Sequence, residues 1–363
     1  MPRVITSATS HASTPRSARV APARPGQNTP SGAALLAAVL IAIVAVINLN
    51  IPYFAITPGP AIDVVPLIDI EGAATKPVSG KLLLTTVSLH DITVAEAIRS
   101  WFDENYEVLS RSAIIPSGET EEEAEQRSTE QMSESHEHAA AAALSFLGYA
   151  VKITSLGARV REVEAQAPAR LVLRRGDVII GADAASVKRT EDLVGVIRSH
   201  EVGDEIVLKV MRGDEELTVK TKTVGREEEP AEPKIGVVLD TVPRIELPLA
   251  INIESGDIGG PSAGLMYALG IVDLLDGSDL AHGRSVAGTG EISVDGTVMP
   301  VGGVTQKIAG ARRQRADLFL VPAVELAEAC SRAGDMEVYA VEHLSDAVRV
   351  LRDPAFAEKR SCP

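Results

Sequence analysis

Residues 255–264 read SGDIGGPSAG, and an apolar run with helical spacing, LMYALGIVDLL, follows directly. Ser262 therefore sits between a glycine-rich turn and the start of a helix. A serine in that place has two readings. It caps the helix, its hydroxyl accepting from an orphan N–H of the first turn. Or it is a nucleophile, with free backbone N–H groups and the positive helix end beside it to stabilise an oxyanion. Gly259 and Gly260 let the main chain approach a substrate closely, so Gly259, Gly260 and Pro261 are the candidate backbone of an oxyanion site.

A nucleophilic serine needs a base, and two candidates compete. GPSAG (260–264) fits the G-x-S-x-G elbow of α/β-hydrolases, which calls for a Ser-His-Asp esterase with His282 or His343 as base. Against it, only about 100 residues follow Ser262, and the strands that normally precede such an elbow are missing. The other candidate is Lys307. Between Ile235 and Glu358 the chain has eight Arg and this single Lys. Arginine keeps its proton at any useful pH, whereas a buried lysine can lose it. Moving its pKa from about 10.4 to near 7 corresponds to roughly 4–5 kcal/mol of preference for the neutral amine. An apolar, water-excluding pocket is the expected source.

The elements around these residues must position them. The chain has 363 residues, 45% of them apolar, enough for two or three domains. Net charge is −15 and aromatics make up 3%, which argues against a nucleic-acid binder. Two cysteines, Cys330 and Cys362, exclude a disulfide scaffold or a four-cysteine zinc site, and spacing alone does not show whether they pair. No G-x-x-x-x-G-K-[ST] loop is present in these residues, so neither nucleotide nor any other cofactor is expected.

Residues 1–31 are rich in Ser, Thr, Pro, Ala and Arg and are expected to be disordered. Gly32–Leu49 is uncharged and apolar. A helix extended from Ser31 to Ile51 would reach roughly 31 Å, the thickness of a bilayer core, and the anchor is placed at 32–51. Arg3, Arg16, Arg19 and Arg24 lie before it and no acid occurs before Asp63. The expectation is a single-pass anchor with the N-terminus cytoplasmic and the rest outside.

Residues 56–143 are expected as an extracytoplasmic α/β segment. It opens with extended runs such as KLLLTTVSL and closes with an acidic, Ala-rich helix expected to be solvated. His136 and His138 in that helix lie at i and i+2 and point to different faces, so no metal site is expected there.

Residues 144–224 change to short β runs with turn signals, and MRGDEE fits a hairpin. LRRGDVIIGADAASV, the helix TEDLVGVIRS, and GDEIVLKVMRGDEELTV together resemble a PDZ domain. The resemblance implies a groove in which an extended peptide adds a strand beside that helix. The family's carboxylate-binding loop would correspond to Phe146-Leu147-Gly148-Tyr149. Residues 225–234, GREEEPAEPK, read as a linker, and 235–358 as the last domain.

GGPSAGL, SVAGTGEISVDGTVMPVGGVTQKIAGARRQRADLFLVPAVE and LSDAVRVL resemble the proteolytic domain of the Lon family. That resemblance implies a Ser–Lys dyad: Ser262 as nucleophile, Lys307 as general base and Thr289 supporting the lysine. It departs at Gly259, where the family commonly has aspartate; Asp257 is the nearest acid upstream. The whole chain is thus expected to be α+β and multidomain: one transmembrane helix, a PDZ-like domain and a Lon-type proteolytic domain. Its implied function is ATP-independent serine endopeptidase action on unfolded or membrane-associated polypeptides, presented by the PDZ-like domain, with assembly into homo-oligomeric rings as a further implication. The non-enzymatic alternative is a membrane-tethered PDZ adaptor.

Overall fold

The computed structural model describes residues 32–115, 119–226 and 229–362. The expected disorder of 1–31 concerns residues outside these. Helix α1 (Gly32–Ile47) is shorter than the span expected over 32–51, because Asn50 and Ile51 join strand β1 (Asn50–Asp63) and pair with Thr93 and Ile92. Its 16 residues reach about 24 Å, and no helix among the described residues is long and apolar enough to cross a membrane.

Beyond β1 come β2 (Ile68–Glu71), β3 (Lys81–Thr93), β4 (Glu107–Ser110) and the long helix α2 (Glu121–Phe146). Strand β5 (Lys152–Val163), β6 (Val178–Ala182), helix α3 (Thr190–Arg198), β7 (Glu205–Arg212), β8 (Glu215–Lys222) and β9 (Val237–Glu246) follow. The chain ends through β10 (Ala250–Ile253), α4 (Gly264–Asp276), β11 (Ser285–Gly288), α5 (Val304–Arg313), β12 (Leu318–Pro322) and β13 (Glu337–Val341).

Two six-stranded sheets result. The first has the order β13-β12-β11-β3-β1-β4. Its C-terminal strands are parallel to one another and to β3, and β1 and β4 add antiparallel. Residues 56–143 are therefore not a separate segment; they supply half of the last domain's sheet. The run Leu82–Leu83–Leu84 shows why. All three side chains are buried, which fits a central strand covered on both faces rather than an alternating surface strand. Strand β10 pairs antiparallel with β2 in a separate two-stranded sheet, bringing the approach to Ser262 onto the N-terminal half.

Helix α2 is only partly the solvated helix expected. Thr120 and Glu123 form a reciprocal capping box at its start, and the acidic first turn lies in water. Its second half carries the buried residues Met132, Ser135 and Ala139–Leu144, of which Met132, Ala139, Ala140, Ala142 and Ala143 share one core with Leu265, Tyr267 and Leu269 of α4. Alanines allow the two helix backbones to approach closely there.

The second sheet has the order β9-β5-β6-β7-β8 on its main path, with a short strand at 185–186 paired to β6. The hairpin expected at Gly213-Asp214 joins β7 to β8, with Arg212 opposite Glu215. The stretch 225–234 does not end this unit. Residues 224–225 pair with 233–234, and β9 then returns along the whole of β5, from Val237 opposite Val163 to Glu246 opposite Lys152. The second sheet is thus an insertion carried by the first, entered from α2 and left through β9.

Candidate active site

Ser262 lies two residues before α4. The helix is capped by Ala263 without any side-chain bond, so Ser262 is not its cap. Its backbone is pinned instead. Its carbonyl accepts from Gly290 N–H at 2.9 Å and from the Thr289 hydroxyl at 3.1 Å. Thr289 follows β11 and is tied to β12 through its N–H and the carbonyl of Leu320.

Lys307 projects from the first turns of α5, a helix started by Gly303 with φ of 70°. It is 3% exposed, and its Nζ donates to the Thr289 hydroxyl at 3.1 Å. Burial pushes the Lys307 pKa down to about 8, opposed by the charge of Glu325. Ser262, Thr289 and Lys307 therefore meet through one hydroxyl, although they come from three elements.

Glu325 escaped the sequence reading. One of its oxygens accepts from Val301 N–H and the other is buried without a partner; burial raises its pKa, against that hydrogen bond and the charge of Lys307. The only signal in the sequence was an acid just past the apolar strand LFLVP.

The expected oxyanion backbone needs correction. Gly260 N–H is already donated to the carbonyl of Ser128 on α2, at 2.9 Å, and Pro261 has no N–H to give. The Pro261 carbonyl accepts from the Ser135 hydroxyl. Among the described residues, the N–H groups of Gly259, Ser262 and Ala263 have no partner, and the last two stand at the start of α4. Asp257 is exposed in the preceding turn and makes no hydrogen bond among the described residues.

The bases of the esterase reading go elsewhere. His282 is exposed in a turn with φ of 48°, its N–H on Asp279. His343 is exposed, caps the helix Leu344–Arg352 and faces Thr297. Of the α2 histidines, His136 stands edge-on to Tyr267, while His138 bonds the main chain at Ile292. Cys330 and Cys362 are joined by a disulfide.

A second site lies in the inserted sheet. Strand β9 is its edge, and α3 runs beside it, linked by Thr190 N–H to Thr241 Oγ at 3.1 Å. Between them is a groove of about 480 Å³ whose lining is mixed, with apolar Val194, Ile197 and Leu239 beside charged Glu164, Arg198 and Glu232. The turn Lys234–Val237 lines it too, and there Gly236 has φ of 70° and a β-carbon would stand 2.3 Å from that of Ala167. The segment Phe146-Leu147-Gly148-Tyr149, expected as the carboxylate loop, is instead the end of α2: Gly148 and Tyr149 donate back to Ser145 and Leu144. The domain's last strand, not its first, borders the groove.

Comparison with known proteins bears on both sites. Residues 145–223 match the PDZ domain family, and residues 249–351 match the Lon protease (S16) C-terminal proteolytic domain. Lon protease 1 of Sorangium cellulosum is 32% identical over 124 residues, 33% of this chain and 15% of that protein. The Lon protease of Citrifermentans bemidjiense is 42% identical over 80 residues, 22% of this chain and 10% of that one. The chain thus spans a small fraction of the length of these relatives. Among solved structures, the PDZ domain of an SdrC-like protein from Listeria monocytogenes is 29% identical, covering 24% of this chain and 92% of that one at a TM-score of 0.23.

Proposed function

We propose that this chain, which carries a PDZ domain and a Lon-type proteolytic domain, is a serine endopeptidase using Ser262 and Lys307. The observation that carries the reading is the buried Lys307 amine, 3.1 Å from the Thr289 hydroxyl that in turn holds the Ser262 carbonyl. A lysine kept out of water, with a pKa near 8, is a usable base close to neutral pH.

In this mechanism neutral Lys307 takes the Ser262 hydroxyl proton as the oxygen attacks a peptide carbonyl. The developing oxyanion is met by the N–H groups of Ser262 and Ala263 at the positive end of α4. Lys307 then gives its proton to the leaving amine, and the neutral Lys307 activates a water that hydrolyses the acyl-enzyme. Thr289 orients the lysine by accepting one hydrogen bond from its amine.

Substrates under this reading are unfolded or membrane-associated polypeptides, cleaved without ATP. The free edge of β9 takes an extended segment as an added strand, its side chains entering the groove beside α3. Two features support an anchored, extracytoplasmic setting: the exposed apolar side chains of α1, and the Cys330–Cys362 disulfide, a bond that persists in oxidising compartments. Alkaline extraction of membranes tests the anchor, and release of the protein into the wash would remove it.

The deciding experiment compares wild type, Ser262→Ala and Lys307→Arg on an unfolded protein, with and without ATP. Both variants should be inactive and folded, and ATP should change nothing. Activity in either variant sinks the dyad.

A further inference from the structure

Helix α2 lies across the segment that carries Ser262. The Ser128 carbonyl holds Gly260 N–H at 2.9 Å, and the Ser135 hydroxyl, on a side chain 2% exposed, donates to Pro261 O at 3.0 Å. Gly259 leaves no room between them: a β-carbon there would stand 2.1 Å from Ser128 Oγ and 3.1 Å from Ser128 Cβ. At Gly264 a β-carbon would meet Ser135 Oγ at 2.9 Å. The two serines are seven residues apart, two turns of one helix, so a single face of α2 grips the loop on both sides of Pro261.

The same helix is held from the PDZ sheet. Arg159 on β5 pairs with both oxygens of Glu134, the residue next to Ser135, and with Asp240 on β9 at 2.9 Å. Arg161 reaches Asp240 as well, at 2.7 Å. Arg159 is about one-fifth exposed, and its guanidinium separates two carboxylates that would otherwise face each other across the domain boundary. Glu291, directly after the Thr289–Gly290 pair that holds the Ser262 carbonyl, lies in the field of Arg161 and Glu134.

We propose that Ser128 and Ser135 are positioning residues for the Ser262 loop, and that Arg159 of the PDZ domain acts through them, so that this domain braces the nucleophile besides capturing substrate. The inference rests on the Ser262–Lys307 reading. Displacing a reacting group by about 1 Å costs on the order of 100-fold in rate, and the loop's grip on α2 is what prevents such a displacement.

The test uses the full chain and a short activated ester, too small to occupy the β9 groove, with the rate of Ser262 labelling by a fluorophosphonate as second readout. Arg159→Gln should lower kcat and labelling by about tenfold or more, with KM and the pH midpoint of the rate unchanged. Gly259→Ala should lower both, and Ser128→Gly, which clears the space a β-carbon needs, should restore them in the double variant. Wild-type ester kcat in Arg159→Gln overturns the role of the PDZ domain. A double variant no faster than Gly259→Ala overturns the role of α2. Ser262→Ala is assayed alongside: residual ester hydrolysis and labelling there would mean that the dyad itself, not its bracing, is wrong.

Discussion

The side-chain nitrogen of Lys307 donates to the Thr289 hydroxyl at 3.1 Å, inside a pocket where neither side chain has appreciable contact with water. That hydroxyl is also committed to the Ser262 carbonyl. One group thus fixes the Lys307 amine and the Ser262 backbone at once.

Proteolysis should switch on as Lys307 loses its proton. With the pKa near 8, kcat/KM should rise about tenfold per pH unit below that value and level off above it. The charge of Glu325 holds the lysine pKa up, so Glu325→Gln should move the midpoint to lower pH. A pH–rate profile of both proteins checks this; an unmoved or higher midpoint in Glu325→Gln would show that Glu325 does not act on the base.

Thr289→Val keeps the shape of the side chain and removes its hydrogen bonds. Activity should drop by about 10- to 100-fold, and stability by about 1–2 kcal/mol, since a buried amine and a carbonyl each lose a partner. Peptidase assays with urea melts measure both effects. A loss of stability with full activity would reduce Thr289 to a packing residue.

Lys307→Met should be inactive yet more stable than wild type at pH 7. The folded pKa of about 8 lies below the reference value of 10.5, so between these pH values the unfolded chain binds more protons than the folded one. Wild-type stability therefore carries the full penalty below pH 8 and recovers as pH rises toward 10.5. Thermal melts of the two proteins from pH 6 to 10 should show the advantage of Met shrinking over that window. A constant difference would contradict a buried, titrating lysine.

Reducing the Cys330–Cys362 disulfide frees a loop whose ends are 32 residues apart, worth about 3–4 kcal/mol in chain entropy. The bond ties the C-terminal tail to the helix Leu326–Arg332, close to where Ser361 bridges Tyr339 on β13. A clear fall in Tm on reduction is expected, with unchanged activity at 25 °C. Loss of activity at that temperature would place the tail's anchorage within the catalytic geometry.

The candidate residues Ser262 and Lys307 stand out in the sequence because local pattern marks them. A glycine-rich turn before an apolar helix exposed Ser262, and a lone lysine among arginines exposed Lys307. Helix α3 and the β7–β8 hairpin were legible for the same reason. What the sequence hid depends on partners far along the chain. Nothing near Gly260 says that its N–H is taken by Ser128, and nothing in 235–246 says that this run completes the PDZ sheet. The carboxylate-binding loop was misplaced to Phe146–Tyr149 because a strand-bordering loop and a helix end both use a glycine at positive φ.

The interleaving of the two sheets sets the order in which the molecule can be made. Thr85 on β3 binds the carbonyl of Gly288 on β11, a partner 203 residues downstream. A chain growing from its N-terminus must therefore hold β3 without β11 and α2 without α4 while the entire PDZ domain is synthesised. Contacts of such separation slow folding, and the waiting strands expose the apolar Leu82–Leu84 run. Lys307 also emerges after Ser262. On a ribosome, then, the cluster of Ser262, Thr289 and Lys307 cannot form before the last third of the chain has arrived.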